Sequence, residues 1–134
     1  MNRSLLREKI ITILYQSYIY DNKSISYDIK DLIKETIETE NDFVDSAIFY
    51  IKDNQDVIDD LANKYMNDWT IDRLSIVDKA IISLGIYELT QTDTPSIVAI
   101  NEAIELSKKY SDEKVIGLVN SVLDKILHEE GLDE

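Results

Sequence analysis

Cysteine is absent from this chain of 134 residues. That excludes a disulfide framework, a thiolate metal site and cysteine nucleophilic catalysis, and it fits a reducing compartment. Histidine occurs once, as His128, proline once, as Pro95, and glycine three times. No stretch approaches the roughly 18 consecutive apolar residues that a membrane span needs. The N-terminus, Met1-Asn2-Arg3-Ser4-Leu5-Leu6-Arg7-Glu8, meets charge at once and has neither an apolar core segment nor a small-residue cleavage site. No signal peptide is expected, and the expected location is the cytoplasm.

Positive charge is also scarce. Fourteen Lys and Arg face 27 Asp and Glu, for a net charge of −13 and a pI near 4.4. The field of such a molecule repels nucleic acid and anionic membranes, so contact with a polyanion must come from a local patch. Residues 1–67 carry net −5 and residues 68–134 net −8, yet the first ten residues hold Arg3, Arg7 and Lys9 against Glu8 alone. That N-terminus is the one positive end of the chain.

Hydrophobic residues at 44% and charged residues at 31% describe an ordinary globular chain. A domain of this length buries roughly 68–70% of its unfolded surface and needs no staple. With so little glycine and proline, the apolar period is helical throughout. Helices are expected near 4–20, 25–38, 41–53, 54–67, 71–91, 95–110 and 112–130, an all-α fold of about seven helices. Their core stripes are Leu6, Ile10, Ile13 and Leu14; Val77, Ala80, Ile81, Leu84 and Leu89; Ile97, Ile100, Ala103, Ile104 and Leu106; and Val115, Leu118, Val119, Val122, Leu123 and Ile126. Thr94 is expected to cap the sixth helix with Pro95 in its first turn, Ser24 or Ser26 the second, and Ser111 the last. Gly131 should end the last helix, with Leu132, Asp133 and Glu134 as a frayed tail. The joint Asn67-Asp68-Trp69-Thr70 divides the chain into an N-terminal helical subdomain, 1–67, and a C-terminal one, 68–134, within one compact domain. Trp69 should pack between the halves, with Arg73 paired to a carboxylate there.

Catalytic constellations are missing. His128 reads as a helix-end cation favoured by the dipole. Carboxylate pairs such as Asp59-Asp60, Glu102/Glu105 and Glu129-Glu130 are what 27 acids produce on solvated helix faces. There is no glycine-rich phosphate loop, nucleophile elbow or EF-hand loop. One histidine without cysteine makes a zinc site unusual. No enzyme, metal or cofactor is expected.

Three stretches carry more than composition. Leu14-Tyr15-Gln16 follows an arginine-bearing helix start. Trp69-Thr70-Ile71-Asp72-Arg73-Leu74 runs on through Asp78-Lys79-Ala80-Ile81-Ile82 to Ile86-Tyr87-Glu88-Leu89. Val98-Ala99-Ile100-Asn101-Glu102-Ala103-Ile104-Glu105-Leu106 leads to Lys108-Lys109-Tyr110 and then Val119-Asn120-Ser121-Val122-Leu123. In this order and spacing the chain resembles the NusB family of bacterial transcription antitermination factors. The resemblance is specific in the second half and weaker over residues 20–65. It implies two small helical bundles packed together and no cofactor. It also implies binding of boxA-type ribosomal RNA together with the ribosomal protein NusE, within an antitermination complex on RNA polymerase.

Carried over by position, the resemblance assigns RNA contacts to Arg3, Arg7, Tyr15 and Asn120, and Lys9 of the positive N-terminus is expected to join them. The chain departs from the family pattern at Ser4 and Leu5 in the basic cluster, at Ser83 in the fifth helix, and at Gly117, Leu118 and Ser121. On a helical wheel Arg7 lies at the edge of the apolar stripe, with Ser4, Ile11, Tyr15 and Tyr18 beyond it. Arg7 and two tyrosines can therefore share an exposed face, a guanidinium for phosphate beside aromatic planes for unstacked bases. Alternatively Arg7 snorkels over the core edge and pairs with Glu8 or an acid on a neighbouring helix. Asn120 either contacts RNA or hydrogen-bonds a loop from within the core. Asn101, beside the stripe of its helix, reads as a buried structural amide. Tyr87 and Glu88 stand between core edge and partner surface, while Glu102 and Glu105 can serve a basic protein partner. A second reading stays open: an acidic protein-interaction module of the same fold that no longer binds RNA.

Overall fold

The computed structural model describes residues 1–132, and among them there are seven α-helices and no strand. The helices are α1 (Arg3–Asn22), α2 (Ile29–Thr36), α3 (Asp42–Asp53), α4 (Gln55–Lys64), α5 (Ile76–Gln91), α6 (Ser96–Tyr110) and α7 (Glu113–Glu129), with a short 3₁₀ turn at Ile71–Arg73 before α5. Asp133 and Glu134, in the expected tail, lie outside the described residues.

Short polar side chains start the helices by accepting from otherwise orphaned backbone N–H groups. Asn2 accepts from Leu5 N, Asp28 from Lys30 N, Asn41 from Val44 N, Ser75 from Asp78 N and Asp112 from Val115 N. Three expected caps are thus displaced. Asp28 caps α2, while Ser24 sits in a left-handed conformation at φ 55°. Asp112 caps α7, and Ser111 instead donates its hydroxyl to Asp78, tying the start of α7 to the start of α5. At α6 the boundary residue is Pro95, whose carbonyl accepts from Val98 N and Ala99 N, so the cap position falls one residue after Thr94 and carries no side-chain cap bond. Gly131 ends α7 as expected, at φ 73°, with Leu132 N reaching back to Leu127 O at 3.0 Å.

Helix α5 is the axis of the fold. It packs against α1, α3, α4, α6 and α7, and every residue from Ala80 to Leu89 is buried. Its buried face is therefore wider than the expected stripe, taking in Ile82, Ser83, Gly85, Ile86, Tyr87 and Glu88. Gly85 permits the closest approach: a Cβ there would stand 2.8 Å from Leu123 Cδ1 of α7. One apolar cluster runs without interruption from Leu6 in α1 to Ile126 in α7.

Helix α1 is likewise covered by α2, α3 and α5, so Ile11 and Tyr18 are buried along with the expected stripe. Polar side chains complete this packing. The Tyr18 hydroxyl donates to Gln55 Oε1 at 2.6 Å, and Gln55 Nε2 donates to Asp59 and to the buried Ser83. Trp69 does not fill the joint; it is 45% exposed, and Arg73 beside it is exposed with no carboxylate within 4 Å among the described residues. Ile97, in the first turn of α6, also lies outside the core, at 69% exposure.

Candidate nucleic-acid interface

The positive end of the chain folds as the first two turns of α1, laid alongside α6. Ser4 donates to Glu102 at 2.8 Å, and Lys109 Nζ stands 2.6 Å from Glu8. These contacts join residues about a hundred positions apart in sequence.

Arg7 does not share an exposed face with the tyrosines. It is 3% exposed and forms a two-pronged ion pair with Glu88 of α5, which is 1% exposed. Nε lies 2.6 Å from one carboxylate oxygen and Nη2 2.8 Å from the other. Glu102 stands 3.5 Å from Nη1, and the hydrogen bond to Glu88 raises the arginine's already high pKa. Phe43 of α3 presents its ring to both N-terminal arginines, at 4.3 Å from Arg3 Cζ and 5.5 Å from Arg7 Cζ. The physical cause of the correction is burial: a guanidinium under α5 and α6 is satisfied only by carboxylates brought there by the fold. The pairing with an acid on a neighbouring helix is the arrangement adopted, but the guanidinium is buried with its carboxylate instead of snorkelling to water.

The other assigned RNA contacts reach the surface. Arg3 is exposed, Lys9 is half-exposed with no carboxylate within 4 Å among the described residues, and Tyr15 is 42% exposed. Tyr18 is buried. Asn120 is exposed on α7 instead of buried in the core. Asn101 is exposed too, because Ile100 and Ala103 take the inward positions of α6.

Of the four residues assigned to a protein partner, Tyr87 and Glu88 are buried and present no surface. Tyr87 packs its ring 5.5 Å from that of Tyr50, and Glu88 is consumed by Arg7. Glu102 is half-buried under Ser4 and Arg7; Glu105 is exposed, 3.4 Å from Lys108.

The structure adds two residues that the sequence reading quoted but did not assign. Tyr110, at the end of α6, is 45% exposed and donates its hydroxyl to Glu8 at 2.9 Å. Lys109 shares the same carboxylate. These two partners hold the Glu8 carboxyl below its usual range, the lysine contributing most. Tyr110 and Tyr15 line one cleft of about 330 Å³ with Ile11, Thr12 and Val77. No local pattern announces this, since the two tyrosines are far apart in the chain.

No group of three or more His, Asp or Glu side chains among the described residues is arranged to hold a metal ion. His128 stands 3.2 Å from Asp124, one helical turn earlier. Among the described residues no helix is long and apolar enough to cross a membrane.

Comparison with known proteins places these features. The family model described as NusB family matches residues 4–128. The transcription antitermination protein NusB of Clostridium botulinum is 37% identical over 131 residues, covering 95% of this chain and 98% of the relative. The solved NusB of T. maritima superposes with a TM-score of 0.82 at 32% identity, covering 96% of this chain and 92% of that one. A second solved structure, of the antitermination factors NusB and NusE in complex with dsRNA, superposes with a TM-score of 0.75 at 26% identity, covering 94% and 97%.

Proposed function

The chain belongs to the NusB family and is a transcription antitermination factor rather than an enzyme, and from that premise we propose that it binds boxA-type RNA of ribosomal transcripts together with the ribosomal protein NusE, as part of the antitermination complex on RNA polymerase in the cytoplasm. The observation that carries this reading is the α1 surface. Arg3 and Lys9 offer cations, and Tyr15 offers an exposed aromatic plane on the same helix. Lys108 and Lys109 of α6 lie alongside. Cations placed near an exposed ring suit phosphates and unstacked bases of a single strand. A solved relative of the same fold holds NusE and RNA.

Roles divide by exposure. Arg3 and Lys9 meet phosphates, Tyr15 meets a base, and Asn120 contacts RNA from α7. Arg7 acts from beneath, holding α1 against α5 so that this surface keeps its shape. Toward NusE, a basic partner, Glu105 and the exposed edge of Glu102 are the available carboxylates, and the net charge of −13 speeds encounter.

The test is fluorescence anisotropy of labelled boxA RNA, with and without NusE, at two salt concentrations and against a scrambled RNA. Tighter binding of boxA than of the scramble, sharpened by NusE, is expected. The salt slope, about −0.7 per phosphate for a single strand, should be shallow, because few free cations are present. Lys9→Ala should weaken boxA and scramble alike, since phosphate contacts carry no base information. A chain that binds NusE yet ignores RNA at low salt would instead be the protein-interaction module of the same fold.

A further inference from the structure

We propose that the groove between α2 and α3 is a docking site for one amphipathic helix of a basic protein other than NusE, which seats an apolar stripe against Ile33, Ile37 and Phe49 and carries arginine or lysine on the flank facing α3. This goes beyond the RNA and NusE surface described above and shares no residue with it.

Helix α2 rests on α1, and α3 rests on α1 and α5, so a furrow of about 690 Å³ stays open between α2 and α3. Its apolar lining is Ile33 of α2, Ile37 just after that helix, and Phe49 of α3, which the core covers only in part. Lys30 and Lys34 line the α2 side, one helical turn apart. Asp45 lines the α3 side, and Glu38 and Glu40 stand on the link between the two helices. Asp45 is half-buried and the other four are exposed. Among the described residues none of these five charges has an ion-pair partner within 4 Å. The two signs thus face one another across the furrow without meeting.

An apolar floor between charged rims is what a helix laid in a groove uses: one stripe of its side chains fills the floor and its flanks meet the rims. Helix α2 has eight residues, so it can accompany about two turns of an occupant. The sign of each flank follows from the charges left without partners. Three carboxylates gather at the link and on α3, and burial, with Glu40 and Asp42 close by, holds the Asp45 carboxyl above its usual range. A guanidinium or ammonium of the occupant placed there relieves this repulsion, while its own carboxylates face Lys30 and Lys34. The field of a chain of net −13 draws a basic protein and repels both RNA and a second copy of the chain. An RNA strand in the furrow would in addition lie against the three carboxylates.

The experiment titrates the full chain into a fluorescein-labelled helical peptide with leucines along one stripe, arginines on one flank and glutamates on the other, read by anisotropy. Saturable binding is expected. A peptide with glutamates on both flanks, and one with serines in place of the leucines, should each bind at least about tenfold more weakly. Reversing the acids, Glu40→Lys with Asp45→Lys, should weaken the first peptide about tenfold or more through like-charge contact, with NusE binding unchanged. Circular dichroism checks that the variant is folded; Glu40→Gln with Asp45→Asn serves as the second variant if lysine perturbs α3. With p-benzoylphenylalanine replacing Phe49, irradiation should cross-link the peptide to the chain. A peptide that does not bind wild type, or that binds both acid variants as tightly as wild type, overturns the proposal. If NusE displaces the peptide, the groove belongs to the NusE surface and the proposal is overturned. If light scattering shows a dimer that the peptide dissociates, the occupant is a second copy and the proposal is equally overturned. None of these measurements uses RNA, so the outcome of the boxA titration judges the RNA reading separately.

Discussion

At the scale of single residues, the Arg7–Glu88 pair shows how burial changes the role of a charge. Both groups are withdrawn from water, so each is tolerable only because the other is there. The guanidinium uses two of its nitrogens on one carboxylate and approaches Glu102 with a third. Glu88→Ala leaves an unpaired buried cation and is expected to destabilise the fold by about 3–5 kcal/mol, measured by urea denaturation. Replacing both partners with apolar residues, Arg7→Met with Glu88→Leu, should recover much of that loss. Ser4→Ala, at an exposed contact with Glu102, should stay within about 0.5 kcal/mol. A loss below about 1 kcal/mol for Glu88→Ala, the range of exposed pairs, would mean that the pair is open to water and that Arg7 is free to meet RNA.

At the scale of helices, α5 and its contacts govern the rest. Its crossing with α7 is as close as it is because residue 85 has no side chain. Gly85→Val should push Leu123 out of its packed position and cost about 1–3 kcal/mol in thermal or urea unfolding. A neutral result would mean that α7 slides freely on α5. The N-terminus of α7 depends on Asp112, whose side chain accepts from Val115 N at 3.1 Å. Asp112→Ala should cost about 0.5–2 kcal/mol, with hydrogen exchange fastest in the first turn of α7. Ser111→Ala tests a different joint, the bond to Asp78 that ties α7 to the start of α5.

At the scale of the whole molecule, acid excess and burial set the pH behaviour. Burial pushes the Tyr18 phenol well above its ordinary value of 10.0. The unfolded chain therefore ionises first as pH rises. The stability held by the neutral phenol is complete below pH 10.0 and is lost as pH climbs from there toward the folded-state value. Chemical denaturation across this range should show a falling midpoint, and Tyr18→Phe should remove part of the fall. Added salt should raise stability slightly by screening the repulsion of a net −13 chain, while it weakens RNA binding. These opposite salt responses separate folding from binding in one set of titrations.

The chain's own pattern was enough to establish an all-helical fold, because apolar residues at a spacing of 3.6 with little glycine or proline admit little else. It also marked the positive N-terminus, and the motif order pointed to the family before any contact was known. Caps were legible only to within a residue or two, since Ser111 and Asp112, or Ser26 and Asp28, are chemically equivalent acceptors and local geometry chooses between them. What the pattern could not reach was the fate of individual polar residues. A wheel places Arg7 at the edge of a stripe, but only the arrival of α5 and α6 turns that edge into an interior and delivers Glu88 as its partner. Tyr87 lies in the same interior, whereas Asn101, Asn120 and Trp69 were left exposed, because exposure depends on which neighbour covers a face. Tyr15 and Tyr110 come to line one cleft for the same reason. Periodicity is local and one-dimensional, while a site between helices exists only once the chain has brought distant segments together.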